Sequence, residues 1–148
     1  YFFNHVVDAF TVTANVGTAL NASLTAAYKY VIQGDGNTFT ESNVADKKTG
    51  TKVNTQTLVA QLKQVNSATN VELDKFLAGE ISGVYKDWNG SYRWIASESF
   101  NVTSTAEVVT GGSRTDFNGY NVTLVSETLD LAPSLDASTV TAFLAIVA

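Results

Sequence analysis

Alternation of apolar and polar residues is the feature that most constrains the fold of this sequence. Every even position from 20 to 32 is apolar, and most of the odd positions between them are polar. A period of two predicts a long strand with one face on a core and the other in water. The same period recurs over 9–17, 100–108 and 120–125. We therefore expect a mainly β protein.

Turn-forming residues separate these runs. Asn89-Gly90 predicts a hairpin between strands at 84–88 and 92–96. Residues 139–147 are apolar on both alternating faces, which predicts a last strand that is covered on both sides. Eight or nine strands with tight turns in a chain of 148 residues indicate one domain with its own core.

A helical insertion is expected at about 54–79. Apolar residues over 54–66 recur with the period of an amphipathic helix, and a second helix is expected over 70–78, with Gly79 at its end. Together these elements predict a jelly-roll or immunoglobulin-like β-sandwich over residues 9–148. The order of its strands does not follow from the sequence.

The N-terminal segment 1–7 reads Tyr-Phe-Phe-Asn-His-Val-Val and stands apart from the strands after it. Five of its seven residues are large and apolar, it favours an extended conformation, and it has no hairpin partner. Because chain ends are usually polar and frayed, we expect this segment to be a buried strand, in its own domain or in another copy. The face predicted to be buried carries Tyr1, Phe3, His5 and Val7, and the other face carries Phe2, Asn4 and Val6.

The sequence contains no Met and begins on bare aromatic residues. We therefore expect an extracellular protein from which a signal peptide has been removed. Sequons for N-glycosylation point the same way. They lie on the polar faces of predicted strands and in a hairpin turn, where a glycan would project into water. The four sequons are at Asn21, Asn89, Asn101 and Asn121.

Composition argues against several classes of function. The net charge of −5 disfavours nucleic acid as a partner, and no apolar run approaches the ~18 residues that would span a bilayer. The chain has no Cys and a single His, which excludes a Cys nucleophile and a two-His metal site within one chain. The position of that residue, His5, in the apolar N-terminal segment argues against a His-based triad. We predict that the protein is not an enzyme.

One turn offers oxygen ligands that calcium could use. Asp35-Gly36-Asn37 carries two of them, and Glu41 is nearby, but the further acidic ligands of an EF-hand loop are missing. Gly, Asp and Asn also suit a turn that holds no metal. We expect no bound calcium and no cofactor other than N-linked glycans.

Short motifs at both ends of the chain resemble the TasA/camelysin family. The N-terminal motif is the run Tyr1-Phe2-Phe3-Asn4, followed by Phe10-Thr11 and by residues 17–24. The C-terminal motif is Leu131-Ala132-Pro133-Ser134, which leads into a hydrophobic last segment. The low charge and the sequons resemble the archaeal members, which include bundling pili and glycosylated surface filaments called threads.

The resemblance implies a subunit of an extracellular filament that assembles by donor-strand complementation. The N-terminal strand of each subunit would complete the sandwich of the next, so the partner would be an identical subunit. Such a head-to-tail contact does not close on itself and generates a filament. The filament would serve adhesion, cell–cell contact or biofilm formation. The donor residues would be Tyr1, Phe2, Phe3, His5, Val6 and Val7.

Three other hypotheses remain open at this point. The N-terminal segment could pair within its own sheet in a monomeric, secreted β-sandwich. A carbohydrate-binding or adhesin module could use Trp88, Tyr92 and Trp94 as a platform for stacking sugars. A coat protein of an archaeal virus would share the same composition.

Overall fold

A computed structural model describes residues 1–6, 8–32, 35–98 and 102–148. Strands make up 48% and helices 15%, arranged as two sheets and two helices. The expectation of a mainly β protein is therefore confirmed. The strands are β1 (Phe2–Asn4), β2 (Phe10–Thr13), β3 (Val16–Leu20), β4 (Thr38–Asp46), β5 (Thr51–Lys63), β6 (Ile81–Lys86), β7 (Tyr92–Ile95), β8 (Thr103–Thr110), β9 (Asn118–Thr128) and β10 (Ser134–Leu135). The helices are α1 (Ser67–Ala78) and α2 (Ala137–Ala145).

The strands form two sheets of different make-up. The first sheet has the order β1-β6-β7-β10-β3-β2, and the second has the order β4-β5-β9-β8. Neighbouring strands are antiparallel except β10 and β3, which run parallel. In the second sheet β5 pairs along its length with β4 on one side and with β9 on the other.

The first sheet is the middle layer of the molecule. On one face, Val84 of β6 and Trp94 of β7 share a buried cluster with Phe143 of α2. On the other face, Ile95 of β7 shares a cluster with Leu124 of the second sheet. Because both faces are covered, the first four residues of β6 are all buried.

The second sheet has one covered face and one open face. Along β9, buried residues alternate with half-exposed ones. Helix α1 covers one end of the inner face, where Leu73 packs with Tyr120 and Val122. The outer face carries mostly Thr and Val, whose β-branched side chains suit a pleated, half-buried surface.

The strand predicted at 9–17 is a hairpin instead, formed by β2 and β3. Ala14 and Asn15 between them have φ angles of 51° and 62°. Two successive left-handed residues are what a tight two-residue hairpin turn requires. The alternation on either side of the turn is real, and the turn itself carries no Gly to mark it in the sequence.

The long strand predicted over 20–32 is wrong. β3 ends at Leu20, and the described residues from there to Ile32 make only isolated bridges, at Ala27 and Tyr28. The side chain of Asn21 accepts a hydrogen bond from the amide of Ser23 at 3.1 Å. Asn commonly turns the chain in this way.

Two other segments have a different secondary structure from the one predicted. Most of 54–66 lies in β5 and not in a helix, because pairing with β4 and β9 outweighs a short helical period. Residues 139–145 lie in α2 and not in a strand. Asp136 caps α2 by accepting a hydrogen bond from the amide of Thr139 at 2.7 Å, and only one face of the helix is buried.

Other local predictions are confirmed, and β8 covers 103–108 of the strand predicted at 100–108, whose first two residues lie outside the described ranges. The helix expected over 70–78 is α1, and Gly79 follows its last residue. The side chain of Asn66 caps it by accepting a hydrogen bond from the amide of Thr69 at 2.8 Å. β6 and β7 form the hairpin expected around Asn89-Gly90. Neither helix in the described ranges has the length and apolarity that crossing a membrane would require.

Candidate functional site

The first strand lies in the first sheet of its own chain. It runs antiparallel to β6, with Phe2 opposite Gly83 and Phe3 opposite Ser82. The amide of Val84 donates to the carbonyl of Tyr1 at 2.9 Å, and the amino group of Tyr1 donates to the carbonyl of Val84 at 3.0 Å. One backbone edge of the strand is thus fully engaged.

The other backbone edge of β1 is engaged as well. The amide of Phe2 donates to the carbonyl of Tyr28 at 3.0 Å, and the amide of Tyr28 donates to the carbonyl of Phe2 at 2.9 Å. Ala27 in turn bridges to Val147 in parallel. β1 therefore fills a gap between Ile81–Val84 on one side and Ala27-Tyr28 on the other, and we call this gap the slot.

One side-chain face of β1 packs into the main core. Phe3 is only 3% exposed, and its ring lies 6.3 Å from Phe10 and 6.1 Å from Phe143. The ring of Tyr1 meets Phe143 edge-on at 5.6 Å and lies 6.3 Å from Tyr92. The face predicted to be buried thus carries a buried Phe3 and a half-buried Tyr1.

The opposite face of β1 packs beneath helix α1. The ring of Phe2 lies edge-on to Phe76 of α1 at 5.0 Å and 5.7 Å from Tyr30. Asn4, next on the same face, is exposed. His5 and Val6 are half-buried, and the buried Nδ1 of His5 has no hydrogen-bond partner among the described residues. Val7, the last predicted donor residue, lies outside the described residues.

A short connection joins β1 to β2. Ala9 is completely buried, and its amide donates to the carbonyl of Val6 at 3.2 Å. Asp8 has a φ of 56°, a left-handed conformation that is strained by about 1 kcal/mol in a residue with a side chain. The connection is therefore short, anchored at Ala9 and strained at Asp8.

Burial also perturbs the amino group at the start of the slot. Removal from water lowers the pKa of the Tyr1 amino group from 8.0 to about 6. A charged ammonium is penalised when it is desolvated, even though it donates a hydrogen bond to the carbonyl of Val84. The slot therefore favours a neutral amine at this position.

The predicted glycosylation sites lie in different surroundings. Asn21 and Asn89 are exposed, in the turn after β3 and in the β6–β7 loop. Asn121 is half-buried on the outer face of β9, opposite Gln61 and Glu107. Its Oδ1 is buried and has no partner among the described residues. Asn101 lies outside the described residues.

The three aromatic residues proposed as a sugar platform do not share a surface. Trp88 is fully exposed, whereas Trp94 is 4% exposed and its indole N–H donates to Oγ of Ser82 at 2.7 Å. Tyr92 is half-buried against Tyr1. Trp94 is a core residue, and the platform is not assembled.

Asn37 and Glu41, two of the three side chains considered as calcium ligands, make hydrogen bonds within the protein. Oδ1 of Asn37 accepts from the amide of Gln61 at 2.7 Å. Oε1 of Glu41 accepts from the side chains of Asn54 and Gln56, both at 3.1 Å, and from the amide of Ala132 at 2.7 Å. Within the described ranges, no group of three or more His, Cys, Asp or Glu side chains could hold a metal ion.

Sequence analysis missed the residues that hold β1. Tyr28 was placed in a long strand, and Gly83 received no role. A signal for Gly83 was present, because a Gly inside an apolar strand marks the close approach of another backbone.

No known protein family, curated protein or solved structure matches this chain.

Proposed function

We propose that this protein is a structural subunit of an extracellular filament that polymerises by exchange of its N-terminal strand. One observation carries the proposal: β1 pairs with β6 along one backbone edge, and on the other edge Phe2 exchanges two hydrogen bonds with Tyr28. It is thus held as an inserted strand, and its connection to β2 leads through Asp8.

An empty slot would be unstable. Without β1, the backbone groups of Val84 and Tyr28 that now bond to it would lose their partners, and unpaired buried backbone groups are strongly unfavourable. The aromatic surroundings of Phe3 would also be open to water. The strand of another copy can supply the same bonds and the same side chains, which is the low-energy route of strand exchange.

Exchange of this kind is directional and leads to a filament. Each subunit gives its strand to one neighbour and receives a strand from another. The donating and receiving surfaces differ, so the contact is heterologous and extends into a filament wherever two copies do not exchange their strands reciprocally. The proposed architecture is a jelly-roll or immunoglobulin-like sandwich completed by the strand of the neighbour.

Concentration decides between the closed chain and the filament. A strand on a short tether has an effective concentration on the order of millimolar for its own slot. Self-pairing is therefore favoured in dilute protein, while the strain of about 1 kcal/mol at Asp8 opposes it. We expect filaments where subunits are concentrated, or where a neighbour's slot is filled before the chain closes on itself.

The surface of the protein supports an extracellular role. Charged residues are few, at 16%, and the open face of the second sheet is mostly Thr and Val. Asn21 and Asn89 are exposed and accessible to glycosylation. In this proposal the filament is a glycosylated homopolymer that mediates adhesion, cell–cell contact or biofilm formation, without catalysis and without a cofactor.

Electron microscopy of concentrated protein tests the proposal. The full chain is expected to form filaments, and a chain without residues 1–7 is expected to remain monomeric and to be destabilised. Asn4→Ala is the matched control, because Asn4 lies in the same strand but is exposed. Filaments that form equally well without residues 1–7 would contradict the proposal.

Intact mass tests the glycosylation separately. Protein from its native source is expected to be heavier than the bare chain, and Asn21→Gln and Asn89→Gln are each expected to remove part of the excess. A mass equal to that of the bare chain would reject glycosylation at every sequon.

A further inference from the structure

Gly83 lies opposite Phe2, where β1 and β6 approach each other closely. A Cβ atom at this position would lie 2.9 Å from the carbonyl oxygen of Tyr1 and 3.0 Å from Cδ1 of Phe2. The carbonyl of Tyr1 cannot retreat easily, because it accepts the amide of Val84. A side chain at position 83 would therefore push β1 away from β6.

The ring of Phe2 has an aromatic neighbour on each of two sides. It is held between Phe76 of α1, at 5.0 Å, and Tyr30, at 5.7 Å. The backbone of Phe2 is fixed from the far side by its two hydrogen bonds to Tyr28. The slot thus has a defined place for an aromatic residue, directly opposite Gly83.

We propose that Gly83 determines the specificity of the slot. It admits the N-terminal strand of a second copy in the one register that puts Phe2 opposite Gly83. A shift by one residue would turn every side chain to the other face. Phe3 would then lie beneath α1, and the polar Asn4 would take a place in the main core. This inference rests on the proposed exchange and names the residue that controls it.

Two variants of the full chain separate donor from acceptor. Gly83→Val blocks the slot and leaves the N-terminal strand unchanged. Phe3→Glu disables the strand, because it would put a charge where Phe3 is now buried, and leaves the slot unchanged. The two variants are examined alone and in an equimolar mixture by light scattering after gel filtration and by electron microscopy.

Neither variant is expected to polymerise alone, whereas the mixture is expected to give heterodimers that grow no further. In those dimers the strand of the Gly83→Val chain fills the slot of the Phe3→Glu chain. Such rescue in trans cannot arise from a purely structural role of Gly83. Filaments of Gly83→Val that match the wild type would overturn the role of Gly83. Failure of the wild type itself to polymerise would instead overturn the proposed function.

A milder pair of variants covers the case in which Gly83→Val does not fold. Gly83→Ala is expected to lower the extent of polymerisation on the order of tenfold. Gly79→Ala is the matched control, because a Cβ at Gly79 meets its nearest atom at 3.5 Å, an ordinary contact. Equal polymerisation of Gly83→Ala and Gly79→Ala would also overturn the role of Gly83.

Discussion

The two sheets of this protein are built in opposite ways. The strands of the second sheet have 8, 9, 11 and 13 residues, and long antiparallel ladders join them. The strands of the first sheet have only two to six residues, and their ladders have at most four residue pairs. The first sheet therefore depends on tertiary packing, while the second is held by its own pairing.

This contrast shows where the molecule can open. Local opening begins where few backbone bonds and few buried contacts hold a segment. β1 has only three residues, and its departure would leave the slot open. Nothing in the second sheet can leave without breaking a ladder of eight or more residue pairs.

The largest expected effect is that of Phe3→Ala in the first sheet. Removal of a fully buried aromatic side chain costs about 3–5 kcal/mol of unfolding free energy, and Phe3 is 3% exposed. Leu124→Ala in the second sheet is the comparison, expected to be destabilising but to leave strand exchange intact. Urea unfolding measures the loss of stability in both variants. Sedimentation measures whether each variant still exchanges its strand. An effect of Phe3→Ala below about 1 kcal/mol would contradict the packing of β1 described above.

Glu41 of the second sheet forms hydrogen bonds that connect the two sheets. It accepts hydrogen bonds from Asn54 and Gln56 of β5 and from the amide of Ala132, just before β10. Glu41→Ala removes the acceptor of the Gln56 side chain and of the Ala132 amide, whereas Asn54 keeps Thr128 and Asp130 as acceptors. The substitution is expected to cost about 2–3 kcal/mol. Glu41→Gln keeps an acceptor and is the control. Equal unfolding free energies for Glu41→Ala and Glu41→Gln would contradict a stabilising role for the hydrogen bonds that Glu41 accepts.

The Tyr1 amino group gives the first sheet a dependence on pH. Its pKa in the folded chain is about 6, below the ordinary value of 8.0, so the unfolded chain binds a proton between these values that the folded chain does not. The unfolding free energy is therefore expected to fall by about 2 kcal/mol as the pH decreases from 8 to 6.

Urea unfolding at several pH values measures this effect in a chain that begins at Tyr1. Acetylation of the amino group provides the control, since it removes the titrating group. An identical pH profile for the acetylated chain would show that the amino group has no part in the effect.

Asp8→Gly is expected to have the smallest effect. Gly adopts a positive φ without strain, so the closed single chain should gain up to about 1 kcal/mol. The filament should gain no stability if its subunits extend this connection. Because the substitution then stabilises only the closed single chain, polymerisation should become slower. Light scattering over time measures the rate, and faster polymerisation of Asp8→Gly would contradict a strained connection.

The sequence predicted best those features that local residues determine. Asn89-Gly90 indicated a hairpin, Gly79 ended a helix, and the alternation over 120–125 described a strand with one open face. In each case a few neighbouring residues decide the backbone conformation, and tertiary contacts agree with them.

Prediction failed where tertiary contacts decide. Residues 20–32 have the alternation of a strand, but the small Ala side chains among them are equally compatible with a loop laid over the core. Residues 54–66 have a helical period, but two neighbouring ladders impose the strand β5. The slot could not be predicted because its two sides, at Tyr28 and Gly83, are 55 residues apart in the sequence.

Asn4 and Ile81 provide the most direct test of strand exchange. They lie opposite each other in β1 and β6, between pairs that exchange hydrogen bonds, where side chains approach closely enough for a disulfide. The chain has no other Cys. The variant Asn4→Cys with Ile81→Cys is oxidised in its assembled form and separated on a non-reducing gel. Strand exchange predicts a ladder of covalent multimers that collapses on reduction, whereas monomers alone, each with an internal disulfide, would contradict it.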